Sequence, residues 1–273
     1  MSTVLDAFDL SGEVVLVTGG AGLLGAEFCR TLGQAGASVV IADLAESSAG
    51  DIARKLTADG LTCMAVGVDV TQAESTRDMV RVALDRFGRL DILVNSAALD
   101  PKFDRDHAGE HSNAFEDYPL ELWNQAVAVN LTGIFLCSQA CVRPMLDQGK
   151  GVIINICSTY GLVGPDQRIY QRRGQSPRFK PVYYPTTKAG VLGLTRYLAT
   201  YYAGKGIRVN ALTPGGVYND HDDEFERAYS ARTILGRMAR KDEMNGAVLF
   251  LASEASSYMT GANLVVDGGW TAW

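Results

Sequence analysis

Tyr184 and Lys188 stand four residues apart in Tyr184-Pro-Thr-Thr-Lys188, and Ser158 closes an apolar run upstream of them. In a helix, residues i and i+4 share a face, so this spacing sets an ammonium beside a phenol. A free tyrosine, with a pKa of about 10, is a poor base at neutral pH, and a neighbouring cation favours its phenolate. A serine hydroxyl on the same substrate oxygen would hold that oxygen in line. Ser158, Tyr184 and Lys188 therefore read as machinery for exchanging a proton with a carbinol or carbonyl oxygen. Tyr183 is a second phenol and Thr159 a second hydroxyl, but only Tyr184 has the four-residue spacing to Lys188.

A second constellation lies near the start. Val14 to Thr18 reads as a buried strand, and Thr18-Gly-Gly-Ala-Gly-Leu-Leu-Gly25 then turns into a helix. Glycines allow a tight turn and close backbone approach, and a new helix offers unpaired N–H groups to a pyrophosphate. Gly19, Gly22, Leu24 and Gly25 are the residues expected against it. Asp43, eighteen residues after Gly25, follows the second strand, where a carboxylate can accept from ribose hydroxyls and would repel a 2′-phosphate. The cofactor expected is thus NAD, with NADP less favoured; a helix N-cap is the structural alternative for Asp43.

These groups need a scaffold, and the chain supplies an alternation of short Val/Ile/Leu-rich runs with helical patterns. Strands are expected near 14–18, 38–42, 63–68, 91–95, 151–157, 207–212 and 263–266, and helices near 23–35, 46–59, 72–87, 120–146, 184–203 and 241–252. The fold class is α/β, a single-domain doubly wound parallel sheet over residues 1–273 with helices on both faces. Three stretches break the alternation, near 99–118, 159–182 and 216–236, each after a strand whose carboxyl end should line the ligand edge.

With 273 residues and 47% hydrophobic content, the chain can bury a large core. Its net charge of −6 gives no attraction to nucleic acid or anionic lipid. No basic segment leading into an apolar stretch opens the chain, and no run of about eighteen apolar residues occurs, so a cytoplasmic protein without membrane contact is expected. The five cysteines are scattered through core segments and suggest no disulfide framework.

The motifs together resemble the short-chain dehydrogenase/reductase family over residues 10–271. The matching pieces are the glycine turn, Asp69-Val70, Asn95-Ser-Ala-Ala98, Asn130, Ser158, Tyr184 with Lys188, Pro214-Gly215 and Val266-Asp-Gly-Gly269. The resemblance implies a Rossmann-type sheet and hydride transfer between nicotinamide and an alcohol or ketone, with Tyr184 as general acid/base. Lys188 would lower its pKa and hold the nicotinamide ribose, Ser158 would bind the substrate oxygen, and Asn130 would hold a water leading from Lys188 to solvent. Asp69 and Val70 would hold the adenine, Asn95 and Ala97 the adjoining ribose region, and Pro214, Gly215 and Val217 the nicotinamide end. A homo-oligomer, tetramer or dimer, is implied through the helices near 120–146 and 184–203. The chain departs from the pattern at Leu23, where shorter members usually have Gly, and at Asn95-Ser-Ala-Ala98, which replaces Asn-Asn-Ala-Gly.

Twenty-five residues separate Ser158 from Tyr184, about twice the gap usual in that family, and Pro165 to Lys180 carries a net +4. Arg168, Arg172 and Arg173 could receive a phosphate bidentately, which suits a phosphorylated or nucleotide-linked sugar. A solvated loop, a subunit contact, or pairing with the acidic lid segment Asp220–Glu226 are the other readings. Pro101-Lys-Phe103, Phe115 to Trp123, Gly164 to Tyr170 and Gly215 to Asn219 resemble the flagellin-modification and surface-polysaccharide branch of the family. A 3-oxoacyl-carrier-protein reductase is a rival, disfavoured by Asp43. A hydroxysteroid-type dehydrogenase would need an apolar wall that the polar loops do not suggest. A non-catalytic NAD-sensing scaffold would bind cofactor without needing Tyr184. His107-Ala-Gly-Glu-His111 has the order of a zinc motif but sits among loop-forming residues, so no metal is expected.

Overall fold

The computed structural model describes residues 3–100, 113–172 and 174–273. Among them run seven strands: β1 (Val14–Thr18), β2 (Ser38–Asp43), β3 (Cys63–Gly67), β4 (Ile92–Asn95), β5 (Gly151–Ile156), β6 (Ile207–Pro214) and β7 (Asn263–Val266). They form one parallel sheet in the order β3-β2-β1-β4-β5-β6-β7. The helices are α1 (Leu23–Gln34), α2 (Glu46–Ala58), α3 (Ala73–Phe87), α4 (Leu120–Val127), α5 (Gly133–Gln148), α6 (Tyr183–Tyr201), α7 (Asp223–Ser230) and α8 (Asn245–Ala252). The expected doubly wound sheet is present, with strand bounds close to those read from the apolar runs.

The continuous apolar character of the strands follows from cover on both faces. In β1, Val15 and Val17 point into a core shared with Phe28 and Leu32 of α1, Leu56 of α2, and Val248 and Leu251 of α8. Val14 and Leu16 point the other way, onto Met79 of α3, Cys141 and Met145 of α5, and Leu198 of α6. A period of two along the strand thus feeds two separate cores.

Chain order reverses between β1 and β4, the place where an open α/β sheet leaves a crevice beyond its carboxyl ends. The segment read as one helix near 120–146 is α4 and α5 joined by a π-turn at Ala128–Thr132. By length and composition Leu120–Gln148 could cross a membrane. Its Ile134, Cys137, Cys141 and Met145 are instead buried in the protein core. Helix α7 lies inside the acidic stretch expected to be a loop, and it starts on a sequence signal: Asp222 caps the N–H of Phe225 at 2.9 Å.

Candidate active site

The glycine turn closes tightly over the sheet edge. Gly19 has φ +64°, and a Cβ there would lie 2.7 Å from Cα of Ala97; one on Gly25 would lie 2.1 Å from the carbonyl oxygen of Gly19. Gly22 is the N-cap of α1 and brings no side chain to it, so Leu23, Leu24 and Gly25 present the first helical turn to the crevice unobstructed. At the end of β2, the Asp43 carboxylate accepts from the N–H of Ala21 at 3.0 Å and of Ala45 at 3.2 Å. Asp43 is not the N-cap of α2, which starts at Glu46 with Ala45 as its cap, and ribose recognition is compatible with these two bonds, since a carboxylate has about four acceptor positions. Asp69 Oδ1 accepts from the backbone and hydroxyl of Thr71, and Val70 packs where a Cβ on Gly133 would come within 2.9 Å. A helix N-terminus, a cradle that admits only glycine and a carboxylate beside it fit a dinucleotide.

Two asparagines serve the framework. Asn95 is buried and donates to Ser138 Oγ at 3.1 Å and to Asn155 Oδ1 at 2.8 Å, so its side chain points into the protein and its backbone faces the crevice with Ala97. The N–H groups of Ser96 and Ala97 both point at Thr18 Oγ1, tying β4's end to β1. Asn130, in the π-turn and fully buried, brackets the peptide of Leu99: its Oδ1 accepts from the N–H at 2.6 Å and its Nδ2 donates to the carbonyl at 3.0 Å. With its amide engaged, any water Asn130 holds must meet its backbone.

Ser158 follows β5 and Tyr184 opens α6, and the Ser158 hydroxyl lies near enough to the phenol to favour its charged form. Ser158 Oγ also accepts from the N–H of Tyr160 at 3.2 Å. Lys188 is buried, donates to the carbonyl of Ile156 at 2.8 Å and lies 5.8 Å from the Tyr184 ring centroid. Burial pushes the Tyr184 phenol well above its ordinary value, the Asp100 carboxylate adds to this, and the Ser158 hydroxyl opposes it. Burial also lowers the Lys188 ammonium. Burial thus acts against the lowering expected from Lys188 and oxidised nicotinamide together.

Two arginines of the basic insertion are paired with carboxylates, Arg168 in solvent and Arg172 largely buried. Arg168 pairs with Asp166 at 2.7 Å, and Arg232 meets the same carboxylate. Arg172 reaches Asp222 at 2.8 Å and Glu224 at 3.8 Å, joining the insertion to α7. Of the alternatives read from the sequence, pairing between basic insertion and acidic lid is the one observed for Arg172. Arg173 lies outside the described residues, as do His107 and His111; among the described residues no cluster of metal-ligating side chains occurs.

Lys180 ends the basic insertion. It is buried, pairs with Asp100, and sets its ammonium 4.1 Å from the Tyr184 ring centroid. A lysine four residues before Tyr184, mirroring the one four after, is a signal the sequence held. Aromatic groups complete the surroundings. Tyr160 meets Tyr184 edge-on at 6.4 Å and Trp270 at 6.2 Å, and Tyr229 stacks on Trp270 at 4.2 Å. Tyr229 Oη accepts from the N–H of Gly216 at 2.6 Å, which anchors the turn after Pro214 and Gly215. Val217 bridges to Ala239. Tyr160, Tyr170, Phe225, Tyr229 and Trp270, with Ile169 and Met238, form a buried cluster against which Tyr184 packs, an apolar backing that the polar loops do not suggest.

Residues 20–271 match the family described as Enoyl-(Acyl carrier protein) reductase. The chain is 37% identical to a cis-4-hydroxycyclohexanecarboxylate dehydrogenase of Sinomonas cyclohexanicum, over 95% of this chain and 97% of that protein. It is 34% identical to an L-rhamnose 1-dehydrogenase (NAD(P)(+)) of Azotobacter vinelandii, over 95% and 97%. Among solved structures it is similar to a gluconate 5-dehydrogenase from Burkholderia cenocepacia in complex with NADP and tartrate, with TM-score 0.87, 32% identity, and 99% and 100% of the two chains covered.

Proposed function

Because the chain belongs to the short-chain dehydrogenase/reductase family, whose members use a nicotinamide cofactor, we propose that it interconverts a ring-borne secondary alcohol and its ketone, with NAD(H) as the preferred cofactor. The observation that carries this reading is the convergence of Ser158, Tyr184 and Lys188 at the sheet edge that also carries the glycine cradle. Preference for NAD rests on Asp43, whose free acceptor positions suit ribose hydroxyls and whose charge repels a 2′-phosphate. The ring is supported by the aromatic wall beside Tyr184 and by the cyclohexane and sugar substrates named for the relatives. The sugar reading, and with it a role in surface-glycan precursor synthesis, is supported by the rhamnose relative and by the insertion motifs.

When bound, the cofactor accepts or donates the hydride. Ser158 holds the substrate oxygen while Tyr184 takes its proton during oxidation and returns it during reduction. Lys188, its ammonium 5.8 Å from the Tyr184 ring centroid, favours the phenolate when charged, against the burial that favours the neutral form. The wall of Tyr160, Tyr229 and Trp270 excludes water from the reacting face. The protein works as a homo-oligomer through α5 and α6, where a groove of about 390 Å³ is lined by Leu131, Phe135, Gly190, Leu194 and Tyr197.

The test is incubation with NAD or NADP and a panel of 4-hydroxycyclohexanecarboxylates, cyclohexanols, rhamnose and other sugars, following the reduced nicotinamide absorbance, and the reverse with NADH and the ketones. Turnover of ring alcohols with NAD is the expected result. Cofactor binding with unchanged absorbance across the panel in both directions would leave the NAD-sensing scaffold as the better account.

A further inference from the structure

Lys180 is the least conventional charge at the site. Its side chain is 9% exposed while its partner Asp100 is 53% exposed, so the cation is fixed inside and the anion sits at the rim. Both are anchored through the backbone. Gln167 brackets the peptide of Lys180, its Oε1 accepting from the N–H at 2.8 Å and its Nε2 donating to the carbonyl at 3.4 Å. Asn130 does the same for Leu99, immediately before Asp100. The ammonium rests 4.1 Å from the Tyr184 ring centroid, and that ring carries the hydroxyl whose charged form Ser158 favours. The cation therefore lies directly beside the phenol that would receive the alcohol of a substrate.

We propose that Lys180 is the specificity-determining residue of the substrate site, receiving a carboxylate on the ring of the substrate in place of the Asp100 carboxylate. The proposal deepens the reading above and rests on it: the reacting group is a ring alcohol, and the substrate is an acid. A single ammonium already shaped around one carboxylate suits a carboxylate, whereas a phosphate calls for the bidentate fork of arginine. Arg168 and Arg172 are engaged with carboxylates of the chain itself. The partner chosen for displacement is the more solvated one, which loses least on release.

The probe is cyclohexanecarboxylate, titrated calorimetrically into the full chain in the presence of NADH, for wild type, Lys180→Met and Asp100→Asn. The proposal expects binding weakened at least about tenfold by Lys180→Met and tightened by Asp100→Asn, as loss and release of one partly buried charge partner should give. In turnover, the ratio of kcat/KM for 4-hydroxycyclohexanecarboxylate to that for cyclohexanol should fall in Lys180→Met. A ratio unchanged while both values drop would overturn it, because Lys180 would then act only through Tyr184. So would absent binding to the wild type, or binding insensitive to both substitutions. Lys180-dependent binding without turnover of any ring alcohol would support the anion site and sink the reaction instead. If Lys180→Met fails to fold by its melting curve, Asp100→Asn decides: untightened binding overturns the proposal.

Discussion

The ammonium of Lys188 on α6 lies 2.8 Å from the carbonyl oxygen of Ile156, the last residue of β5. This one bond fastens the helix that carries Tyr184 to the strand that leads to Ser158. Lys188 therefore has two jobs, geometric and electrostatic. Lys188→Met should lower kcat by about 10²–10⁴, and Tyr184→Phe by a similar factor, the usual range for a positioned proton-transfer group. NAD binding should persist in Tyr184→Phe, measured by quenching of protein fluorescence. Full activity in Tyr184→Phe would remove the phenol from the mechanism.

The pH dependence should respond to Asp100. Its negative charge disfavours phenolate on Tyr184, after burial the second contribution to the raised value. Alcohol oxidation needs the deprotonated phenol, so kcat/KM at saturating NAD should rise with pH. Asp100→Asn removes the repulsion, and the rise should begin at lower pH; a displacement toward higher pH would contradict this arrangement.

Arg172 joins the insertion to α7 through Asp222, and Asp222 also caps that helix. Arg172→Ala should raise KM for charged and uncharged substrates alike and make the α7 region more open to limited proteolysis. A selective loss with anionic substrates would show that the guanidinium leaves its partner to meet them.

Cofactor choice should follow Asp43. Asp43→Ser should narrow the gap between NAD and NADP in kcat/KM by on the order of tenfold or more, since one repulsive, hydrogen-bonding group is lost. Gly25→Ala, with its new methyl 2.1 Å from the Gly19 carbonyl oxygen, should destabilise the fold by about 1–3 kcal/mol and abolish cofactor binding.

Phe135 and Tyr197 expose 45% and 60% of their surface beside the α5–α6 groove. A charge placed there, as in Phe135→Asp, should reduce the mass seen by light scattering if this face joins subunits. An unchanged mass would move the interface elsewhere.

The sheet was legible because its inner strands are covered on both sides, and a run such as Val14–Val17 can hardly be anything else. Ser158, Tyr184 and Lys188 were legible because their spacing survives folding as adjacency. Helix α7 was hidden by its acidic composition, although Asp222 and the Phe225–Tyr229 pair announced a cap and a buried face. Lys180 was hidden because its meaning depends on Asp100, eighty residues away, and Arg172 because its partner is fifty away. Long-range ion pairs leave no local pattern. The aromatic wall escaped for the same reason, being assembled from residues 160, 170, 225, 229 and 270, no two of which are close in the chain except Phe225 and Tyr229.

The π-turn at Ala128–Thr132 carries a further consequence. Such a turn accommodates one surplus residue in an otherwise α-helical ladder. Deleting a single position there would let Leu120–Gln148 wind as an unbroken helix without rotating Cys137, Cys141 or Met145 off the sheet. The shortened chain should keep its thermal stability while losing the Asn130 clamp on Leu99, so that architecture and chemistry come apart at one codon.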